Sequence, residues 1–218
     1  MAPLRHGRVS LALHRLREGE GTPLLLLHGL RGSSADWQGA AAEWPGPVLA
    51  LDFSGHGGSG WVRGGAYSPE LLVGDADAAL AQAGPLAVAG AGLGAWVALL
   101  LAGARSEGVR AALLLPGPGL CGGGALPDFD SEVALPPPDP EPLARGWDPA
   151  VAVLEEDVRP VDYAAAMAAA SQRLLFVEAG SEPPPWWQAA RQAPSAELPA
   201  ADLATALPRL EAFIPSGG

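Results

Sequence analysis

Apolar residues fall along this chain in short blocks whose periodicity changes from block to block. From Arg8 to Leu16, Val9, Leu11 and Leu13 alternate with Ser10 and His14, the period-two pattern of an outer strand with one wet face. Pro23-Leu-Leu-Leu-Leu-His28 and Pro47-Val-Leu-Ala-Leu-Asp52 are instead continuously apolar, as in central parallel strands covered on both faces. Pro85–Ala89, Val109–Leu115 and Arg173–Val177 repeat that pattern, and Ala196-Glu-Leu198 predicts a short last strand. Between them, Ser34–Trp44 predicts a helix, with a serine cap and Asp36 in its first turn. Ser68-Pro69-Glu70 opens another, with proline at the first helical position. Ala95–Ala104 predicts an almost wholly apolar helix, and Tyr163–Ser171, Trp186–Gln192 and Leu203–Ile214 predict three more. Strands alternating with helices at this spacing predict an α/β fold, a mostly parallel sheet with helices on both faces, as one domain over 1–218.

Two stretches need separate treatment. Ala78 to Ala104 carries no charge and is long enough to cross a bilayer. Gly84-Pro85 and the Gly90–Gly94 run divide it, so a buried strand, turn and helix are expected there. From Pro116 to about Pro160, proline, glycine and acids dominate, and an irregular excursion is expected.

Composition narrows the function. A chain of 218 residues can bury a full core, and all 13 basic residues are arginine. The net charge of −11 repels phosphate backbones, so nucleic acid is not an expected partner. Cys121, the only cysteine, can form no intrachain disulfide and cannot build a thiolate zinc site. No metal or cofactor is expected. The stretch Met1–Arg8 has no apolar signal-peptide core, so a soluble cytoplasmic protein with no membrane partner is expected.

Three motifs occur in order. Leu27-His28-Gly29-Leu30-Arg31-Gly32-Ser33-Ser34, with Trp37 beyond it, follows the first buried strand. Asp52-Phe-Ser-Gly55-His56-Gly57-Gly-Ser59 follows the second. Ala87-Val-Ala-Gly90-Ala91-Gly92-Leu93-Gly94-Ala95-Trp96 joins a strand to a helix. Together they resemble the α/β-hydrolase fold family, with its oxyanion loop, its Asp-x-x-Gly-x-Gly-x-Ser loop and its nucleophile elbow. The resemblance runs over about Arg8 to Ile214 and implies an esterase- or thioesterase-like fold. By the same resemblance, the backbone N–H groups of Leu30 and Leu93 are the oxyanion-type donors. His28, Gly29, His56 and Trp96 are expected near the pocket, and 117–160 forms a reduced cap over the strand ends.

The elbow departs from that family's G-x-S-x-G. Its nucleophile position is Gly92, and no histidine follows His56, so the late general base is absent. Glu182 falls at the acid-like position, where a solvated loop carboxylate is the simpler reading. Glycine relieves the strain of the turn while removing the attacking oxygen. The expectation is a non-catalytic binder of a small apolar or acyl ligand, or of a partner protein. Three readings stand beside it. Ser33, Ser34 or Ser59 with His28 or His56 could form a rebuilt site, although capping and turn roles explain these serines. A hydrolase or lyase acting on an ester or thioester with unconventional residues is the second. The third is a dinucleotide-binding protein, because Gly90-Ala-Gly92-Leu-Gly94-Ala95 also fits G-x-G-x-x-[G/A]; no acidic residue ends the next strand, where a ribose partner belongs. Of Trp37, Trp61, Trp96, Trp147, Trp186 and Trp187, most are expected in the core and one or two along a ligand cleft.

Overall fold

The structure, a computed structural model, describes residues 4–39, 42, 44–62, 66–120, 146–178 and 182–214. A small hairpin opens it, β1 (Arg5–His6) against β2 (Val9–Ser10), turning through Gly7 at φ +56°. The main sheet has six strands: β3 (Ala12–Arg17), β4 (Leu24–Leu27), β5 (Val48–Asp52), β6 (Leu86–Ala91), β7 (Val109–Leu115) and β8 (Leu174–Phe176). They stand in the order β3-β5-β4-β6-β7-β8, all parallel except β3, which runs antiparallel to β5 at one edge. This is the α/β-hydrolase-type architecture.

The four leucines of β4 show why a continuous apolar run belongs at the centre. All four have no exposed surface, and strand geometry sends alternate side chains to opposite faces. Leu25 and Leu27 enter one core with helices α1 (Pro69–Ala83), α2 (Leu93–Ala104), α3 (Val161–Ala170) and α4 (Pro185–Ala190). Leu24 and Leu26 enter the other, with Trp37, Trp44 and the buried face of α5 (Leu203–Ala212). The uncharged run 78–104 divides into the end of α1, β6 and α2. Among the described residues, no helix is long and apolar enough to cross a membrane.

Three predicted elements differ. The helix expected over Ser34–Trp44 is only a 3₁₀ turn, Ser34–Trp37. Ser33 caps it reciprocally with Asp36, but Gln38 is already extended, and Gly39 follows at φ +76°. The expected strand Ala196–Leu198 is reduced to two isolated bridges, Leu174 to Ala196 and Val177 to Ala200. Leu198 lies in solvent, and Pro199 has no N–H to continue a ladder. The outer strand Arg8–Leu16 is broken in two, because Val9–Ser10 turns away to pair with β1. Residues 121–145, most of the expected cap, lie outside the described residues; of its remainder, Pro149–Glu155 is a 3₁₀ helix.

The topology fixes where a site can form. β4 sits between β5 and β6, so the chain leaves β4 to one side and later returns to the other. Loops after β4 and β6 therefore diverge, opening a crevice at the strand C-termini, the usual ligand position in such sheets.

Candidate functional site

The turn from β6 into α2 is made by Gly92, at φ +57° and ψ −115°. Residues with a Cβ rarely hold this left-handed backbone. Its flanking glycines answer a packing demand: a Cβ on Gly94 would stand 2.6 Å from the His28 carbonyl oxygen, and one on Gly90 would lie 2.8 Å from the Ala95 nitrogen. The glycine trio thus seats α2 directly against β4 and β6, which is a sufficient reason for the pattern that also fits a dinucleotide fingerprint.

The N–H groups of Leu30 and Leu93 converge. Each donates to the carbonyl oxygen of Pro118 at 3.0 Å. Gly92 N–H donates to Leu115 at 2.9 Å, and Leu120 N–H closes a turn onto Gly117 at 3.1 Å. The Pro116–Leu120 loop, which follows β7, therefore lies inside the elbow. A Cβ on Gly92 would overlap the Pro118 oxygen and come 2.6 Å from the Gly117 carbonyl carbon; one on Gly29 would come 2.9 Å from the Pro118 ring. Arg159, 3% exposed, secures the loop from its far side. Its guanidinium donates to the carbonyls of Gly119 (2.6 Å) and Leu120 (2.8 Å), meets Asp157 at 3.2 Å, and lies over the rings of Trp96 and Trp186. The Trp186 indole N–H also donates to Leu120, at 3.1 Å.

The two loop histidines are braces. His28 donates from Nδ1 to the Gly29 carbonyl (2.7 Å) and accepts the Phe53 N–H at Nε2 (3.1 Å). His56 donates from Nδ1 to Ser54 (3.2 Å) and accepts the Arg31 N–H at Nε2 (3.2 Å). These partners fix one neutral tautomer for each ring. Burial pulls the His28 pKa from 6.5 to about 4, and burial with repulsion from His28 pulls that of His56 to about 3. The second bond of His56 holds Arg31 at φ +60°, the one non-glycine with positive φ among the described residues.

Asp52 ties the second loop to the first. Its carboxylate accepts from Ser34 N–H (2.6 Å), Gly58 N–H (2.8 Å) and His14 Nε2 (3.0 Å). Burial pushes its carboxyl up, but the Gly58 and Ser34 bonds outweigh it and the net shift is downward. The loop serines are engaged as well: Ser33 caps the 3₁₀ turn, and Ser59 Oγ bridges the Asp52 carbonyl and the Ala12 N–H. Sequence reading did not anticipate a Ser54–Asp75–His6 cluster, buried at Ser54 and Asp75 and partly exposed at His6, in which Ser54 Oγ (3.0 Å) and His6 Nδ1 (2.8 Å) both meet Asp75 Oδ1. It lacks nucleophile geometry, because the carboxylate stands between hydroxyl and imidazole, where a general base must touch the hydroxyl itself.

Of the residues expected near a pocket, His28 and His56 are wholly buried beneath the loops, and Trp96 packs edge-on to Trp186 at 5.0 Å within the core. Gly29 faces Pro118. The cleft at this end of the sheet, about 440 Å³, is lined by Leu30, Arg31, Pro116–Leu120 and Glu155. Arg31 pairs with Glu155 at 2.7 Å across it and lies 4.9 Å over the Trp147 ring. Trp186 and Trp187 are core residues, and Trp61 is exposed. Glu182 is exposed in the loop before α4. Pro118 and Arg159 escaped the sequence reading. The one local signal was Pro116-Gly-Pro-Gly119, a turn sequence straight after a buried strand.

Fold and loops together define a protein of the α/β-hydrolase type, and comparison with known proteins agrees. The alpha/beta hydrolase family model matches residues 24–214, and the chain belongs to that family. Among solved structures, it resembles the thioesterase domain from the curacin biosynthetic pathway (16% identity over 97% of both chains, TM-score 0.71). It also resembles Est1E from Butyrivibrio proteoclasticus, solved with ferulic acid (15% identity over 98% of this chain and 97% of that one, TM-score 0.63). Against the epoxide hydrolase VrEH1 of Vigna radiata, 24% identical, the match takes in 52% of this chain and 36% of that one, with a TM-score of 0.47. These likenesses describe the fold. No curated protein sequence matches the chain.

Proposed function

We propose that this chain is a non-catalytic member of the alpha/beta hydrolase family that acts by binding. One observation carries the reading: at the elbow, where a nucleophile's side chain belongs, Gly92 has none, and the Pro118 carbonyl fills the space a Cβ would need. The rest of the site supports it. Each imidazole on the site loops has both nitrogens bound to backbone, and burial keeps both rings neutral and weakly basic. A working acyl-transfer site needs a hydroxyl or thiol in contact with such a base. The binding surface is the cleft beside Leu30, Pro116, Pro118 and Leu120. At about 440 Å³ it falls in the range of small-molecule sites, with the Arg31–Glu155 pair at its edge. A small apolar ligand suits those walls.

A serine-directed fluorophosphonate tests the non-catalytic reading. The purified protein is expected to remain unlabelled and to hydrolyse p-nitrophenyl acetate no faster than an equal concentration of heat-denatured sample. Covalent labelling lost on substituting Ser33, Ser34, Ser54 or Ser59, with parallel loss of ester turnover, would overturn it.

A further inference from the structure

We infer that the Pro116–Leu120 loop is a permanent internal occupant of the oxyanion cradle, with the Pro118 carbonyl as the ligand and Arg159 as its positioning residue. The inference rests on the non-catalytic reading above and says what became of the cradle.

A carbonyl oxygen has two lone pairs, and the Pro118 oxygen receives two N–H groups, Leu30 and Leu93, both at 3.0 Å. A catalytic cradle keeps such donors aimed at a position the substrate oxygen will enter. Here that position holds an atom of the chain itself. The neighbouring residues are cut to fit it: Gly92 and Gly29 leave the volume that the Pro118 oxygen and ring take up. A Cβ on Gly119, at φ +74°, would stand 2.8 Å from the Leu30 Cβ. The far side of the loop is equally committed. The two bonds from Arg159 and one from Trp186 take the Gly119 and Leu120 carbonyls. The guanidinium is held in turn by Asp157 and by the two indole faces. A planar fork with fixed donors is suited to clamping adjacent carbonyls.

A tethered ligand competes at a high effective concentration, so a free carbonyl or carboxylate cannot displace it at ordinary concentrations. The cradle is therefore closed to acyl compounds, and a small ligand of this protein is confined to the outer cleft.

The test follows the Leu30 and Leu93 amides of the full chain by NMR. In the wild type both are expected to exchange with solvent as slowly as the central-strand amides of Leu26 and Ala89, and neither should shift when hexanoate is added to millimolar concentration. In Arg159→Ala, exchange at Leu30 and Leu93 is expected to rise at least about tenfold more than at Leu26 and Ala89, since both charged hydrogen bonds from Arg159 to the loop are lost. Arg159→Lys, which keeps a donor but not the fork, should recover part of that protection. Exchange of the two wild-type amides at the rate of exposed loop residues, or a saturable hexanoate shift at both, would overturn the inference. So would an Arg159→Ala variant that leaves their protection unchanged. If Arg159→Ala fails to fold, the wild-type exchange and titration still decide. A fluorophosphonate adduct would sink the non-catalytic reading without touching these readouts, so the two can fail separately.

Discussion

Replacing Gly92 with serine would put a hydroxyl at the turn from β6 into α2, and the geometry predicts damage instead of activity. The backbone at φ +57° and ψ −115° strains any residue with a Cβ, at about 1–3 kcal/mol. The new Cβ would overlap the Pro118 oxygen and approach the Gly117 carbonyl carbon to 2.6 Å, so the loop must retreat. Its retreat leaves the buried N–H groups of Leu30 and Leu93 without an acceptor, roughly 1–3 kcal/mol for each. The sum, roughly 3–9 kcal/mol, rivals the about 5–15 kcal/mol that holds an entire domain folded. Urea unfolding followed by tryptophan fluorescence measures it directly, because Trp96, Trp186 and Trp187 are buried beside α2. With a denaturant slope of about 1–3 kcal/mol per molar, the midpoint should fall by about 1 M or more. Gly92→Ala should fall about as far, since the clash is with the Cβ. A Gly92→Ser midpoint within error of the wild type would refute this account of the elbow, and so would ester hydrolysis gained by that variant.

Two further outcomes are expected. His28 and His56 titrate at about 4 and about 3 in the folded chain against 6.5 when unfolded, so only the unfolded chain takes up protons just below pH 6.5. Stability is thus fully present above about pH 6.5 and is lost as the pH falls, roughly 2 kcal/mol for each ring by pH 5; urea midpoints at pH 7.5, 6 and 5 should decline in that order, and a flat series would contradict the buried neutral rings. Asp52→Asn turns one acceptor oxygen into a donor that faces Ser34 N–H or Gly58 N–H, and should cost roughly 1.5–3 kcal/mol. An unchanged midpoint in that variant would show that the carboxylate does not tie the two loops together.

Much of the fold is legible in local pattern, and for local reasons. Leu24–Leu27 reads as a doubly covered strand because alternate side chains must point to opposite faces, and all four leucines need cover. Ser68-Pro69 marks the start of α1, and Ser68 Oγ accepts the Leu71 N–H there. The serine cap of the helix expected over Ser34–Trp44 forms at Ser33, but the helix stops after one 3₁₀ turn because Gln38 is extended and Gly39, six residues past the cap, takes positive φ. The glycines at 90, 92 and 94 are readable as a tight strand-to-helix turn, but two families of motif fit them, and only the close contacts of Gly90 with Gly94 and Ala95, of Gly92 with Gly117 and Pro118, and of Gly94 with Leu27 and His28 show what each one is for.

The sequence by itself determined the α/β order of elements, the elbow without a hydroxyl and the absence of a histidine after position 56, because each is written in residue identity or in a period of two or of 3.6. Tertiary structure alone decided that Leu30 and Leu93, some sixty residues apart, meet on one oxygen from Pro118, and that Arg159 closes over it. A backbone carbonyl carries no side-chain signature, so its choice of partners depends on where the β7 loop lands once the sheet has formed. The same holds for His28 and His56, which any reader of the chain could name and whose neutrality follows only from the burial and backbone partners that folding supplies.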